Sequence, residues 1–235
     1  MRTNTPSPTL PQKGRDQAKR RLWLPEMEGP MARWYDRQRG TPSQIKAYRE
    51  QAAQLTAGLP QGARVLEVAP GPGYLAIEIA RPGRFQVTGL DISQTFVEIG
   101  GAHARQAGVS VDFRHGDAAA MPFESDTFDL IVCQAAFKNF RQPVSALNEM
   151  YRVLRGGGTA VTQDLRKDAS RADIQQEIRN QGLSGIRGLI TSQILGGLRR
   201  RAYTPSAIRQ LVAESAFHAG DIKVIGIGME VRLTK

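Results

Sequence analysis

VLEVAPGPGYLA, residues 65–76, decides how this chain is read. Val65, Leu66 and Val68 make a short apolar run with one acid, Glu67, near its end. A proline–glycine segment follows, and then residues that favour a helix. An apolar run this short, closed by Gly and Pro, reads as a strand buried on both faces. Gly71 and Gly73 let the backbone approach a ligand where a side chain would block it. The segment from Gly71 to Ala76 also satisfies G-x-G-x-x-G/A, a pattern that by itself is weak evidence for a dinucleotide.

Outward from this stretch, strand and helix patterns alternate. Strands are expected over 63–69, 85–91, 109–115, 127–134 and 157–165, and helices over 73–80, 93–107 and 143–154. Thr41-Pro42 opens an earlier helix with Ile45, Tyr48, Ala52 and Leu55 on one face, and Gly58 ends it. Residues 26–40 form a short amphipathic stretch. Thr204-Pro205 opens a last helix, and DIKVIGI and MEVRLTK, joined around Gly228, suggest a terminal hairpin. The expected fold is α/β and Rossmann-like. It has a seven-stranded, mostly parallel sheet with a C-terminal antiparallel hairpin strand and helices on both faces. Residues 26–235 form one domain. The stretch 168–203, too long for a plain connection, reads as a helical insertion over the site. Its Ile186, Leu189, Ile190, Ile194, Leu195 and Leu198 share a helical face that suits a lid, a homodimer or a membrane surface equally.

Composition narrows the class. The chain has 235 residues, 40% of them hydrophobic, and no apolar run long enough to span a bilayer. No signal peptide is visible, so a cytoplasmic protein is expected. Cys133 is the one cysteine, and His103, His115 and His218 lack ligand spacing, so no metal site is expected. Cys133 reads as a small buried hydrophobe rather than a nucleophile. The formal charge is +10, and residues 1–22 carry half of the excess through Arg2, Lys13, Arg15, Lys19, Arg20 and Arg21 against Asp16. Residues 1–25 read as a disordered basic tail, solvated or docked to RNA, a membrane or an acidic partner.

Asp91 closes the second strand, roughly 24 residues after Glu67, where an acid can accept both hydroxyls of a ribose. That limits the ligand to an adenosine cofactor without choosing between NAD and S-adenosylmethionine (SAM). HGDAAAMPF (115–123), FDLIVCQAAF (128–137) and EMYRVLRGGG (149–158) then follow in order. The ordered set resembles the class I SAM-dependent methyltransferases, in the branch that includes the ubiquinone/menaquinone-biosynthesis C-methyltransferases. The resemblance covers roughly residues 62–164.

It implies SAM as cofactor and a role for each matched residue. Glu67, Ala69, Gly71 and Gly73 would line the methionine end, and Asp91 would hold the ribose with Ile92 against the adenine. Asp117, beside Gly116, would accept from the adenine amino group, and the Ala118 N–H would meet the ring. Gln134 would sit near the reactive methyl. Two departures stand out. Ala69 occupies a usual glycine position, and Pro70 biases it to an extended conformation with negative φ. Lys138, in Phe137-Lys138-Asn139-Phe140, stands where the quinone enzymes carry arginine. The two cations are not equivalent donors, which counts against a quinone acceptor.

Because the cofactor carries its own electrophile, a base is needed only if the acceptor must lose a proton. Gln134, Lys138, Asn139 and Asp164 are the catalytic candidates, with Arg166 beside them at the strand ends. Met31, Trp34 and Tyr35 either close over the cofactor or pack on the core, and His115 either faces the adenine or lies on a surface loop. The leading expectation is methyl transfer to a small organic molecule. The alternatives are an RNA or protein methyltransferase using the tail and Arg199–Arg201, and a SAM-binding protein that transfers no methyl, such as a cyclase. The Cys-Gln-Ala-Ala ending of the fourth strand argues against the exocyclic-amine methyltransferases.

Overall fold

Val65 and Leu66 point to opposite sides of one strand, and the whole architecture follows from that alternation. In the computed structural model, which describes residues 27–180, 182 and 184–235, this strand is β1 (Arg64–Val68). The expected tail at 1–25 lies outside the described residues. Six further strands complete the sheet: β2 (Gln86–Asp91), β3 (Asp112–His115), β4 (Phe128–Gln134), β5 (Leu154–Leu165), β6 (Asp221–Ile225) and β7 (Gly228–Thr234). Their order is β3-β2-β1-β4-β5-β7-β6. The first five are parallel, and β7 runs antiparallel between β5 and β6. The expected Rossmann-like sheet with a terminal hairpin is therefore present.

Both faces are covered. On one side Val65, Leu130, Val132 and Val161 meet Ala52 and Leu55 of α2 (Pro42–Leu55) and Leu75, Ala76 and Ile79 of α3 (Tyr74–Ala80). On the other, Leu66, Val68, Ile131 and Cys133 meet Leu147 and Met150 of α5 (Pro143–Val153) and Ile208 and Val212 of α8 (Pro205–Ala213). Each Val, Leu, Ile or Met side chain among them, fully buried, contributes about 1.5–3 kcal/mol. Glu67 and Gln134 share the parity of the first set, so both face α2 and α3.

Helix ends follow local chemistry. Ser93 caps α4 (Gln94–Ala107), its Oγ accepting from the Phe96 N–H at 3.1 Å. Thr204 caps α8 by accepting from the Ala207 N–H at 3.1 Å. Pro42 opens α2, although Thr41 makes no capping bond with its side chain. The third strand is shorter than its apolar run predicts, 112–115 rather than 109–115, and Val109 and Val111 pack as loop residues. At its centre the Phe113 ring rests on bare backbone. A Cβ at Gly73 would lie 2.5 Å from its Cζ, and one at Gly89 2.7 Å from its Cδ1.

Three helices remain. α1 (Gly29–Arg39) packs against α4. α6 (Arg171–Asn180) and α7 (Gly185–Arg199) fill the insertion as a helical hairpin. The hairpin leaves the sheet at Arg166 and returns at Tyr203, and these two residues bridge each other beside the end of β5.

Candidate cofactor and active site

The sheet order reverses between β1 and β4, whose neighbours β2 and β5 lie on opposite sides. Ligands of open α/β sheets sit in the crevice at the carboxyl ends of strands where such a reversal occurs. The expected cofactor residues converge on this place.

Glu67 is 3% exposed, and its Oε2 is a buried atom with no hydrogen-bond partner. Burial pushes its carboxyl up to about 8, against a hydrogen bond from the Ala76 backbone that lowers it. Asp91 is 5% exposed. Its Oδ2 accepts from the Gly71 N–H and its Oδ1 from the Ser93 N–H, both at 2.9 Å. Burial raises the Asp91 carboxyl as well, opposed by these two amides. A carboxylate offers about four lone-pair sites, so acceptor capacity remains for two hydroxyls. The glycine loop is thereby fastened to the acid that ends β2.

The loop starts differently from expectation. Ala69 has φ +57°, in the left-handed region, not the extended conformation that Pro70 favours. Its N–H donates to Leu90 O at 2.8 Å, so the ladder with β2 holds the strand end and the chain must turn sharply after it. Ala135, directly after β4, is also left-handed at φ +55°, and its N–H donates to Gln163 O at 2.7 Å. A left-handed alanine costs about 1–2 kcal/mol relative to glycine. Ala69→Gly is therefore expected to raise unfolding free energy by about 1 kcal/mol after the entropy cost of glycine. A urea titration showing destabilisation would contradict the strain.

Just past Asp91, Ile92 is exposed and its carbonyl oxygen lies 3.0 Å from His115 Nε2. Asp117 Oδ1 accepts from the Ala119 N–H at 2.8 Å, which shapes the turn that presents Ala118. The Gly116 N–H donates to Asp91 O at 2.9 Å, and a Cβ there would lie 2.8 Å from Leu90 Cδ1.

The catalytic candidates separate into groups. Gln134 is half-buried, and its Nε2 donates to Gln51 Oε1 of α2 at 2.8 Å. Gln51 donates in turn to Gln163, and Gln163 Nε2 to Glu230 Oε2 at 2.7 Å. Lys138 and Asp164 are spent on each other. Lys138 Nζ lies 2.9 Å from Asp164 Oδ1 with both side chains buried, and it also donates to Ala135 O. Asp164 further accepts from the Lys138 and Leu165 N–H groups at 3.0 and 2.8 Å. This knot clamps the 3-10 turn Phe137–Asn139 onto β5. Asn139 is exposed on that turn. Arg166 is tied to Asp173, Asp168 and Gly226 O. Cys133 is buried with its thiol raised by desolvation, as a small hydrophobe would be.

Breaking the knot gives a clear expectation. Lys138→Met leaves Asp164 buried and unpaired, and should cost about 3–5 kcal/mol in a denaturation titration. Lys138→Met with Asp164→Asn should recover much of this loss. A single-variant loss below about 1 kcal/mol would show that the pair is solvated instead.

Sequence reasoning left open whether Met31, Trp34 and Tyr35 cover the mouth, and missed the polar bonds that fasten their segment. Glu28 reaches the start of α4, where its Oε1 accepts from the Gln94 N–H at 2.8 Å and its Oε2 from the Thr95 N–H at 3.2 Å. Bonds from Thr95 hold the Glu28 carboxyl below the usual range. Ser93 Oγ donates to Met27 O at 2.8 Å, and the Tyr74 hydroxyl to Asp36 Oδ1 at 2.8 Å. His103 Nε2 lies 3.6 Å from the other Asp36 oxygen. Of the α1 aromatics, Tyr35 packs edge-on against Phe96 and comes within 4.0 Å of a Cβ built on Gly71, whereas Met31 and Trp34 are exposed. α1 is thus a strap across the glycine loop.

A buried acid with one unpartnered oxygen, a second acid with acceptor capacity and a glycine loop between them fit a SAM site on a class I methyltransferase fold. The comparisons agree. A family described as a methyltransferase domain matches residues 66–162. A demethylmenaquinone methyltransferase of Thermus thermophilus is 30% identical over 159 residues, 66% of this chain and 70% of the relative. The chain belongs to the SAM-dependent methyltransferase family. Its relatives include a demethylmenaquinone methyltransferase of Deinococcus radiodurans, 34% identical over 52% of this chain and 50% of that protein. The ubiquinone/menaquinone biosynthesis C-methyltransferase UbiE of a Ruegeria species is 39% identical over 41% of this chain and 40% of its own. The chain spans about half the length of the first of these curated relatives. Among solved structures, a protein of Methanococcus maripaludis described as a SAM-dependent methyltransferase superposes with TM-score 0.69 at 19% identity. It covers 90% of this chain and 95% of its own, and shows the fold. The [4+2]-cyclase SpnF superposes with TM-score 0.56 at 26% identity, over 77% of this chain and 59% of its own.

SAM fits the residues present. Its ammonium group matches the unpartnered Glu67 oxygen, and its ribose diol the acceptor sites of Asp91. Among the described residues no cluster of His, Cys, Asp or Glu could hold a metal ion, and no helix is long and apolar enough to cross a membrane.

Proposed function

We propose that the protein transfers a methyl group from SAM to a small organic acceptor. The observation that carries this is the buried, donorless Glu67 oxygen beside a loop fastened to Asp91. Glu67 would take the ammonium group, and the Gly71–Gly73 backbone would lie along the methionine end. Asp91 would hold the ribose and Ile92 the adenine face, with the second Asp117 oxygen and the Ala118 N–H on the ring edge. SAM supplies the reactive methyl on its sulfonium.

The chain's part is alignment and exclusion of water, which can contribute about 7–11 kcal/mol. Gln134 and Gln51 form the polar floor near the strand ends. The Lys138–Asp164 clamp acts as a positioning pair, because every polar atom in it is occupied. Phe140 and Tyr203, both partly exposed, flank the buried Phe137 ring, tilted to it with centroids 5.3 and 6.0 Å away. Aromatic edges at this rim suit a flat ring, and the relatives' names make a quinol-type ring the first acceptor class to test, against the departure at Lys138, which is held by Asp164. The α6–α7 hairpin rises from the same rim and serves as the lid.

The experiment supplies SAM with a panel of small aromatic and quinol acceptors and follows S-adenosylhomocysteine together with methylated product. Both are expected. SAM binding with no turnover across the panel would favour a SAM-dependent role without methyl transfer, a reading supported by the likeness to a cyclase.

A further inference from the structure

Helix α7 is built inside out. A helix on a globular surface normally turns its apolar stripe to the core. Here Gly188 is buried, and Thr191, Ser192, Leu195, Gly196 and Arg199 are half-buried. The inward face is thus mostly small or polar, and Ser192 accepts from Gln175 of α6 at 3.3 Å. The large apolar residues point the other way. Ile186 is 79% exposed, Leu189 63%, Ile190 53%, Ile194 56% and Leu198 38%. They recur at helical spacing and make one continuous stripe. Monomeric proteins rarely leave such a stripe in water, so something covers it.

Charge indicates what. From Ile178 to Ala213 the chain contains no Asp or Glu, and it carries Arg179, Arg187, Arg199, Arg200, Arg201 and Arg209. Arg179 and Arg200 are exposed and flank α7 in the chain. An apolar helical stripe in an acid-free, arginine-rich segment has the chemistry of a helix lying in an anionic lipid surface. A self-complementary protein interface would need acids to meet these arginines, and the segment offers none.

We propose that α7 docks on anionic membrane surfaces. Its stripe enters the boundary between headgroups and acyl chains, and the exposed Arg179 and Arg200 meet lipid phosphates. The hairpin springs from the rim of the cofactor crevice, so docking holds that crevice at the membrane. The inference stands apart from methyl transfer and would survive the failure of that reading.

The test uses the full chain and vesicles of phosphatidylcholine, alone or with about a third phosphatidylglycerol. The wild type should sediment with the anionic vesicles and not with the neutral ones. Leu189→Ser/Ile190→Ser/Ile194→Ser should lower the partition coefficient about tenfold or more, because three apolar anchors are lost. Arg179→Gln/Arg200→Gln should weaken binding and flatten its salt dependence. All variants keep the N-terminal basic residues, so equal binding by the wild type and the serine variant would overturn the proposal in favour of that tail. No binding by the wild type would overturn it outright. A dimer in sedimentation velocity that the serine changes abolish, without vesicle binding, would assign the stripe to a second copy. Since Cys133 is buried, Ile190→Cys gives a site for an environment-sensitive dye. Its emission should shift to the blue on anionic vesicles, and an unmoved spectrum would also overturn the proposal.

Discussion

Asp91→Ala will weaken SAM binding by about 100- to 10,000-fold, since two charge-assisted hydrogen bonds of about 1.5–3 kcal/mol each are lost. The change acts twice. It removes the acceptor proposed for the ribose diol, and it frees the Gly71 N–H that fastens the glycine loop to β2. Asp91→Asn separates the two, because an amide oxygen can still hold one backbone donor while the negative charge is gone. Calorimetric titration of both variants with SAM, S-adenosylhomocysteine and NAD reads the result. NAD is expected to give no heat of binding in any form. A loss smaller than about threefold for the alanine variant would remove Asp91 from the cofactor site.

Glu67→Gln is expected to stabilise the ligand-free protein while weakening its grip on SAM. In the unfolded chain the carboxyl ionises near its ordinary 4.5, and in the folded chain near 8. Between these values the folded state keeps a proton that the unfolded state has released. Stability from this group is therefore present at low pH and lost as pH rises, by about 3 kcal/mol between pH 4.5 and 7. Glutamine carries no such penalty. Thermal melts of the two proteins should converge near pH 4.5, and the variant should melt higher at pH 8. SAM affinity should fall about 10- to 100-fold, because the ammonium group loses an anionic partner. A variant that is less stable at pH 8 would show that the lone oxygen is solvated.

These two acids were legible in the sequence because both close a strand next to a glycine loop or a helix cap, and those patterns are local. The mostly parallel sheet with its terminal antiparallel hairpin followed from the alternation of apolar runs and helices for the same reason, whereas the strand order did not. Ala69 was not legible. Its next neighbour, proline, argues for an extended residue, and the bond to Leu90 O from a different strand overrides it. Glu28 gave no signal either, since it caps a helix that begins at residue 94. Lys138 and Asp164 each looked like a free catalytic group. Their mutual burial depends on β4 and β5 lying side by side, which no spacing within one segment shows. In α7 the periodicity was visible, but the outward direction of its apolar stripe was not, because a stripe carries no label for what it faces.

The strap formed by α1 has a consequence in time. It is synthesised before any strand of the sheet, yet Ser93, Thr95 and His103, three of the residues that hold it, emerge more than sixty positions later. It can dock only when the first half of the sheet has been made. The same separation persists in the finished molecule, where α1 buries just Ala32 and is fastened mainly by polar bonds at its ends. Such a segment opens at a small fraction of the cost of global unfolding, and it opens without disturbing a single strand pair. The cover of the glycine loop and the sheet beneath it are thus set to different clocks.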